Sequence, residues 1–307
     1  MKDLEIRQIR PEEYRLVADL INSLYAIKRP IEYYGGWQWS NDLLPSILLG
    51  AFNKDSLVGL FGIQKRILNN NLTVGYITNL NVAKEWQGKG LFSTLGKKAM
   101  KSFDNLDIFC VFANANAKYP CERSLGLKTI GTIRMMILKT SERLNQINYK
   151  CIPIDLMTNF PDIMINPEKI MFQYTQEFRQ WRFAKNPLYS YSKITIETGE
   201  YAIIKKFTDP VKGVVYGDIV DCECSLDDIQ RLEHIYSAAI NQLINEGADQ
   251  ITTMALPGTI LHSVVEKIGF RASDYESYFE VKAVKTGHDS LYDFSKWHLR
   301  QADGMNY

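Results

Sequence analysis

Gln87-Gly88-Lys89-Gly90, with Leu91, Phe92 and Ser93 behind it, is the stretch whose residue types and spacing point most directly to chemistry. A strand-like run ends at Val82, a short charged bend follows, and a helical pattern opens after the second glycine. Glycines in such a turn supply positive φ and let the backbone approach a ligand closely. Successive amide N–H groups at a helix N-terminus, with its partial positive charge, hold a phosphate without needing a charged side chain. Two common phosphate loops do not fit. A Walker loop needs four residues between its first glycine and Gly-Lys-Ser/Thr, but five separate Gly90 from Gly96, and Lys98 follows Lys97. A dinucleotide fingerprint needs a third glycine at position 93, which is Ser93. A plain strand-to-helix turn stays open beside the phosphate reading.

The elements that would position this turn occur twice. Gln38-Trp39 is followed by Pro45, and Gln180-Trp181 by Pro187, at an offset of 142. Asp107 and Asp249 open later strands at the same offset, and Gly126 and Gly269 lie 143 apart. Between these landmarks each half has two short apolar segments around a polar turn, a longer strand-like run, and an amphipathic helix. In the helix over 91–103, Leu91, Phe92, Leu95, Ala99, Met100 and Phe103 share a face, with Lys97, Lys98 and Lys101 on another. The pattern predicts a tandem duplication of a β-β-β-α-β-α-β unit with its boundary near residue 150. Several adjacent strands precede the first long helix of each half, which implies an α+β fold with a mixed, mostly antiparallel sheet and flanking helices. The domains are then 1–150 and 151–307, with a tail over 287–307. At the offset, Gln230 and Leu232 replace Gly88 and Gly90, so the second half has lost the glycine turn.

Bulk properties narrow the function classes. Hydrophobic content of 46%, charged content of 23% and net charge +1 are those of a soluble globular chain. No basic run exists to track a nucleic-acid backbone. The N-terminus is charged from its second residue, without a signal-peptide core. The longest uncharged run, 67–83, contains five asparagines, which excludes a membrane span. Five scattered cysteines indicate reduced thiols in a cytoplasm. Cys222 and Cys224 would share one face of a strand, and no second pair completes a metal site.

"LNVAKEWQGKGLFSTL" resembles the acetyl-CoA-binding turn of the GNAT superfamily of N-acetyltransferases, in which an R/Q-x-x-G-x-G/A turn opens a long helix. Glu85 stands at the first motif position, where Arg or Gln is usual. Downstream, "FANANAKYPCERSLGLKTIG" resembles the family's next landmark, a strand ending near an Asn and a short helix before "LGF", here with Leu127. The resemblance extends to the second half as a degenerate copy. It implies acetyl-CoA, or another acyl-CoA, bound by Leu80, Asn81, Val82, Gln87, Gly88, Lys89, Gly90, Leu91, Phe92, Ser93 and Asn116. Residues 80–82 would pair with the pantetheine amides like an added strand.

The reaction implied is direct attack of a primary amine on the thioester in a ternary complex. It needs a base, a donor for the developing oxyanion and an acid for the thiolate. No Asp or Glu occurs in 71–83, so the base would be a water held by Asn79, or Glu32. Tyr119 is the nearest tyrosine for the acid, although the family's usual position is Glu122 here. Tyr33, Tyr34 and Trp37 could stack on a sugar ring. The tail resembles those of tandem GNAT proteins among bacterial surface-polysaccharide enzymes, which puts Trp297 to Asp303 on the first half near the acceptor. The acceptor implied is an amino sugar or sugar nucleotide, with neither metal nor nucleic acid as partner and an oligomer left open. An aminoacyl-tRNA-dependent transferase on cell-wall precursors and a non-catalytic acyl-CoA-sensing or scaffold protein are the alternatives.

Overall fold

The computed structural model describes residues 4–140, 147–161 and 168–304. In chain order the strands are β1 (Leu4–Gln8), β2 (Ser46–Asn53), β3 (Ser56–Ile67), β4 (Thr73–Val82), β5 (Ile108–Ala113) and β6 (Lys128–Lys139). They continue as β7 (Tyr149–Pro153), β8 (Tyr191–Ile196), β9 (Tyr201–Thr208), β10 (Val215–Glu223), β11 (Gln250–Met254) and β12 (Arg271–Ala283). The α-helices are α1 (Tyr14–Leu24), α2 (Leu91–Lys101), α3 (Ala115–Pro120), α4 (Gln176–Arg179), α5 (Ile229–Asn245) and α6 (Ile260–Ile268). None of the described helices is long and apolar enough to cross a membrane.

Two compact units result: Met1–Thr132 with Ser277–Phe294, and Ile133–Glu276 with Ser295–Tyr307. The repeat sets a sequence boundary near residue 150, whereas packing divides the chain within β6 and again within β12.

In the first unit the sheet order is β1-β2-β3-β4-β5-β12, and β4–β5 is the parallel pair. Helix α2 supplies the crossover a parallel pair needs. β3 is buried along nearly its whole length because both of its faces are covered. A Cβ on Gly59 would meet Leu91 of α2 at 2.9 Å, and one on Gly62 would meet the Trp39 ring at 2.2 Å. The aromatic ring therefore sits on the face opposite α2, and glycine is what allows it so close to the strand.

The second unit repeats the plan. Its order is β6-β11-β10-β9-β8-β7, with β10–β11 parallel. Helix α5 buries Leu232, Ile235, Ala239 and Leu243, a stripe at helical spacing, over that sheet. Val74 pairs with Ile108 and Tyr216 with Gln250, the same register at an offset of 142 in each member.

Candidate functional site

β4 and β5 stay together only briefly. Their parallel pairing covers Val74, Gly75 and Tyr76 against Ile108, Phe109 and Cys110, while β4 runs on to Val82 and β5 to Ala113. The cause lies on the other side of β4. Gly62 of β3 faces Thr78 and Leu60 faces Asn81, so Asn79 and Leu80 bulge from the ladder. Asn79 takes a φ of 53°, a left-handed conformation that Asn tolerates better than most residues. Such a bulge bends its strand and turns it from its neighbour. Past Tyr76, among the described residues, no strand pairs with β4 on the β5 side, which leaves an edge where an extended amide-bearing chain can add.

The glycine turn follows at the end of β4. Gly88 and Gly90 have φ of 71° and 78°, and Gly90 is the N-cap of α2 with no side chain on the helix end. The first-turn amides of Leu91, Phe92 and Ser93 have no intrahelical acceptor by helix geometry. A Cβ on Gly88 would meet nothing within 4 Å, so the space beside that glycine is open. The Gln87 side-chain amide donates to the Val82 carbonyl at 2.9 Å, and the Lys89 ammonium lies 5.2 Å from the centre of the Trp86 ring. Leu91, Leu95 and Ala99 anchor the helix in the core, and Phe92 meets Phe61 edge-on at 5.7 Å.

The equivalent helix of the second unit is closed. Gln230 lies within α5, as does Leu232, and the Asp228 carboxylate caps the helix by accepting the Arg231 N–H at 3.0 Å. A carboxylate already holds the position a phosphate would need.

The remaining predicted residues of the first unit lie on several elements. Asn116 is exposed in the first turn of α3, and its N–H donates at 3.1 Å to Asn114, the helix's N-cap. Tyr119 is 59% exposed, with Lys118 and Arg123 beside its ring at 5.8 and 5.7 Å. Glu32 is exposed just before a π-helical turn, Tyr33–Trp39. Inside that turn Tyr33, Tyr34 and Trp37 are buried: Tyr33 stacks on Trp37 at 5.0 Å and meets Tyr34 edge-on at 5.2 Å. Burial pushes the Tyr34 phenol up to about 12. The Asn79 amide donates to the Gln38 side-chain oxygen at 3.0 Å.

Two polar groups in the first unit were not assembled by the sequence reading, although it named Gln38 and Glu122 singly. Gln64 on β3 donates its amide to the Gln38 carbonyl at 2.9 Å, while its Oε1 and the nearby Trp39 Nε1 are buried without hydrogen-bond partners among the described residues. The other group is Glu122, Thr129 and Glu280, in which the Thr129 hydroxyl donates to Glu122 at 2.6 Å and lies 3.4 Å from Glu280. Glu and Gln scattered in apolar strands were the available signal, and sequence spacing alone does not say which of them meet.

The tail requires a correction. Trp297 to Asp303 was expected on the first half, but 295–304 clusters with the second unit. Trp297 is wholly buried and bridges to Ile170, and Asp303 accepts from the Tyr174 hydroxyl at 2.6 Å. Gln301 donates to Thr252 at 3.2 Å, and Arg300 ion-pairs with Glu223 at 3.1 Å and Asp221 at 3.5 Å. Two carboxylates buried at the end of β10 need cations, and the tail brings Arg300 to join Arg179, which also pairs with Glu223.

No family model matches the chain, and no curated protein matches it in sequence. Solved structures match it in fold. A tandem GNAT protein from the clavulanic acid biosynthesis pathway has a TM-score of 0.62 at 11% identity, over 92% of this chain and 99% of that one. A GCN5-related N-acetyltransferase from Anabaena variabilis has 0.64 at 12% identity, over 92% and 73% of the respective chains. One from Sphaerobacter thermophilus has 0.56 at 10%, over 94% and 98%. At such identities the likeness is one of fold. The chain has a tandem GNAT-type fold, α+β, with a mostly antiparallel sheet in each unit.

Proposed function

We propose that the first unit binds an acyl-CoA, acetyl-CoA in the leading case, and that the protein transfers the acyl group to the primary amine of a small molecule. The observation that carries this reading is the contrast between two equivalent helix ends. The N-terminus of α2 is open behind Gly88 and Gly90, while that of α5 is capped by Asp228. The residues present fit the group. Gly88, Lys89 and Gly90 with the amides of Leu91, Phe92 and Ser93 would hold its diphosphate, and Leu80, Asn81 and Val82 would pair with its amide arm. Bound there, the cofactor supplies an activated thioester.

The chain's own residues would orient the amine and manage protons. Asn79, fixed by Gln38, holds a water or the amine beside the bulge, with Glu32 as the second candidate for the base. Tyr119 and Glu122 are the two candidate acids. The acceptor proposed is an amino sugar or sugar nucleotide handled in the cytoplasm, a reading supported by the resemblance of the tail. Tyr33, Tyr34 and Trp37 would shape its pocket from beneath, since their rings are packed on one another.

Calorimetry with acetyl-CoA tests the site. Wild type is expected to bind, and Gly90→Trp, which places a bulky side chain at a left-handed position, is expected not to. Equal binding by both proteins, or none by wild type, would overturn the assignment.

A further inference from the structure

Glu280 stands on β12 in the first unit, in register with Val111 of β5, and is wholly buried. Its Oε2 has no hydrogen-bond partner among the described residues, and its Oε1 lies 3.4 Å from the Thr129 hydroxyl oxygen. That hydroxyl donates its single proton to Glu122 at 2.6 Å. A protonated Glu280 can donate in turn to the Thr129 oxygen, which gives a chain from Glu280 through Thr129 to Glu122.

Two neighbouring carboxylates out of water do not both ionise readily. Burial foremost, then the Glu122 charge, pushes Glu280 up to about 7, against the Thr129 contact and the Lys118 ammonium. Two ammonium groups lie near. Lys282, also on β12, donates to the Leu125 carbonyl at 2.7 Å, and Lys118, which pulls Glu280 down only in part, lies 4.2 Å from the centre of the Tyr278 ring. The buried Cys121 thiol is raised by its own burial and then by the two carboxylates, so it stays neutral.

Glu122 belongs to a turn that touches α2. It is half-buried in the π-helical turn Cys121–Leu125. Ser124 of the same turn accepts the Ser93 hydroxyl at 2.7 Å, which ties the turn to the first turn of α2. We infer that Glu122 delivers a proton to the sulfur leaving the cofactor, and that Glu280, a positioning residue acting through Thr129, supplies it. This rests on the acyl-transfer reading above. As the amine nitrogen bonds to the carbonyl carbon and the carbon–sulfur bond breaks, its electron pair staying on sulfur, the Glu280 proton moves to Thr129, the Thr129 proton to Glu122, and Glu122 passes it to sulfur. The amine's proton passes to water, and water restores one to Glu280.

Two measurements test the relay. Infrared spectroscopy of the full chain at pH 6 should show a protonated-carboxyl band that fades as pH rises through about 7. The band should weaken in Glu280→Gln, leaving the share of Glu223, which burial also raises to about 7, and persist whole in the exposed control Glu12→Gln. Thiol release from acetyl-CoA, with hydroxylamine as acceptor, should fall about 10-fold to 100-fold in Glu280→Gln and Thr129→Val. Both variants should lose the decline above pH 7 expected of wild type, and Glu280→Asp should recover part of it. A band that Glu280→Gln leaves unchanged overturns the relay, as does an unchanged pH profile in Glu280→Gln or loss of the profile in Tyr119→Phe alone. A wild type that does not bind acetyl-CoA overturns the acyl-transfer reading and the delivery step with it, whatever the band shows.

Discussion

The Asp107 carboxylate accepts the Thr73 backbone N–H at 2.7 Å and the Thr73 hydroxyl at 2.8 Å, fastening the start of β5 to the start of β4. At the offset of 142, Asp249 accepts the Val215 backbone N–H at 2.8 Å and fastens β11 to β10. In each copy the aspartate's own N–H returns to the partner carbonyl, at 2.9 and 2.8 Å. The clamp closes one end of the parallel pair. In the first unit the bulge opens the other end, so the cleft is hinged between a fixed and a diverging terminus.

This clamp makes the first prediction. Burial opposes ionisation of Asp107, but the Lys285 ammonium at 2.6 Å and the Thr73 donors outweigh it and hold the carboxyl at about 2. A folded pKa below the ordinary 3.8 gives stability that is present above that value and lost as pH falls through about 2. Asp107→Asn should lower unfolding free energy by about 2 kcal/mol at pH 7. Urea titrations should show the deficit shrinking steadily below pH 4. A deficit that is the same at pH 7 and pH 2 would reject the ionic explanation.

Gly88 separates binding from folding. At φ 71° a side chain costs about 1–2 kcal/mol, but the added Cβ meets no atom within 4 Å. Gly88→Ala should therefore melt slightly below wild type yet bind acetyl-CoA at least about tenfold more weakly, because its methyl enters the open space at the turn proposed to hold the diphosphate. Gly62→Ala should do the reverse, losing about 1–3 kcal/mol or more by displacing Trp39. Calorimetry and urea melts on the two variants would contradict this if both properties fell together in each.

The duplication and the turn were readable because both are local. Gln38-Trp39, Asp107 and Gly126 repeat in order, and the loss of two glycines at Gln230 and Leu232 marks the half without the glycine turn. What pairs over long distances was not readable. Glu280 lies 151 residues from Thr129, and Arg300 lies 77 from Glu223. No periodicity tells which remote strand β12 joins, and several strands have similar apolar patterns. The bulge at Asn79 escaped for a different reason. A strand of this composition gives no sign of where it bends until its partner's register is known.

Asn79 invites a two-variant comparison. Asn79→Gly keeps the left-handed backbone and removes the bond to Gln38, which should cost about 1 kcal/mol. Asn79→Ala removes the same bond and adds about 1–2 kcal/mol of backbone strain at φ 53°. Denaturant titration should therefore rank wild type above Gly and Gly above Ala. If alanine were the milder change, the bulge would not hold residue 79 in that conformation.

Arg300 gives the last prediction, in the second unit. Its guanidinium faces Glu223, Asp221 and the Phe172 carbonyl and lies over the Tyr174 ring at 3.8 Å. Burial first, then Asp221, raises Glu223 to about 7, although Arg300 and Arg179 pull it down. Because this folded value is above the ordinary 4.5, the contribution is fully present below 4.5 and declines as pH rises to about 7. Arg300→Met removes one restraining cation, raises Glu223 further and extends the decline to higher pH. The variant should lose about 3–5 kcal/mol at pH 8.5 and distinctly less at pH 6, where Glu223 can take up a proton. Adding Glu223→Gln to the variant should recover much of the loss at pH 8.5. Thermal melts at the two pH values decide it: a loss independent of pH, unaffected by the second substitution, would mean that Arg300 acts through packing on Tyr174 and not through its charge.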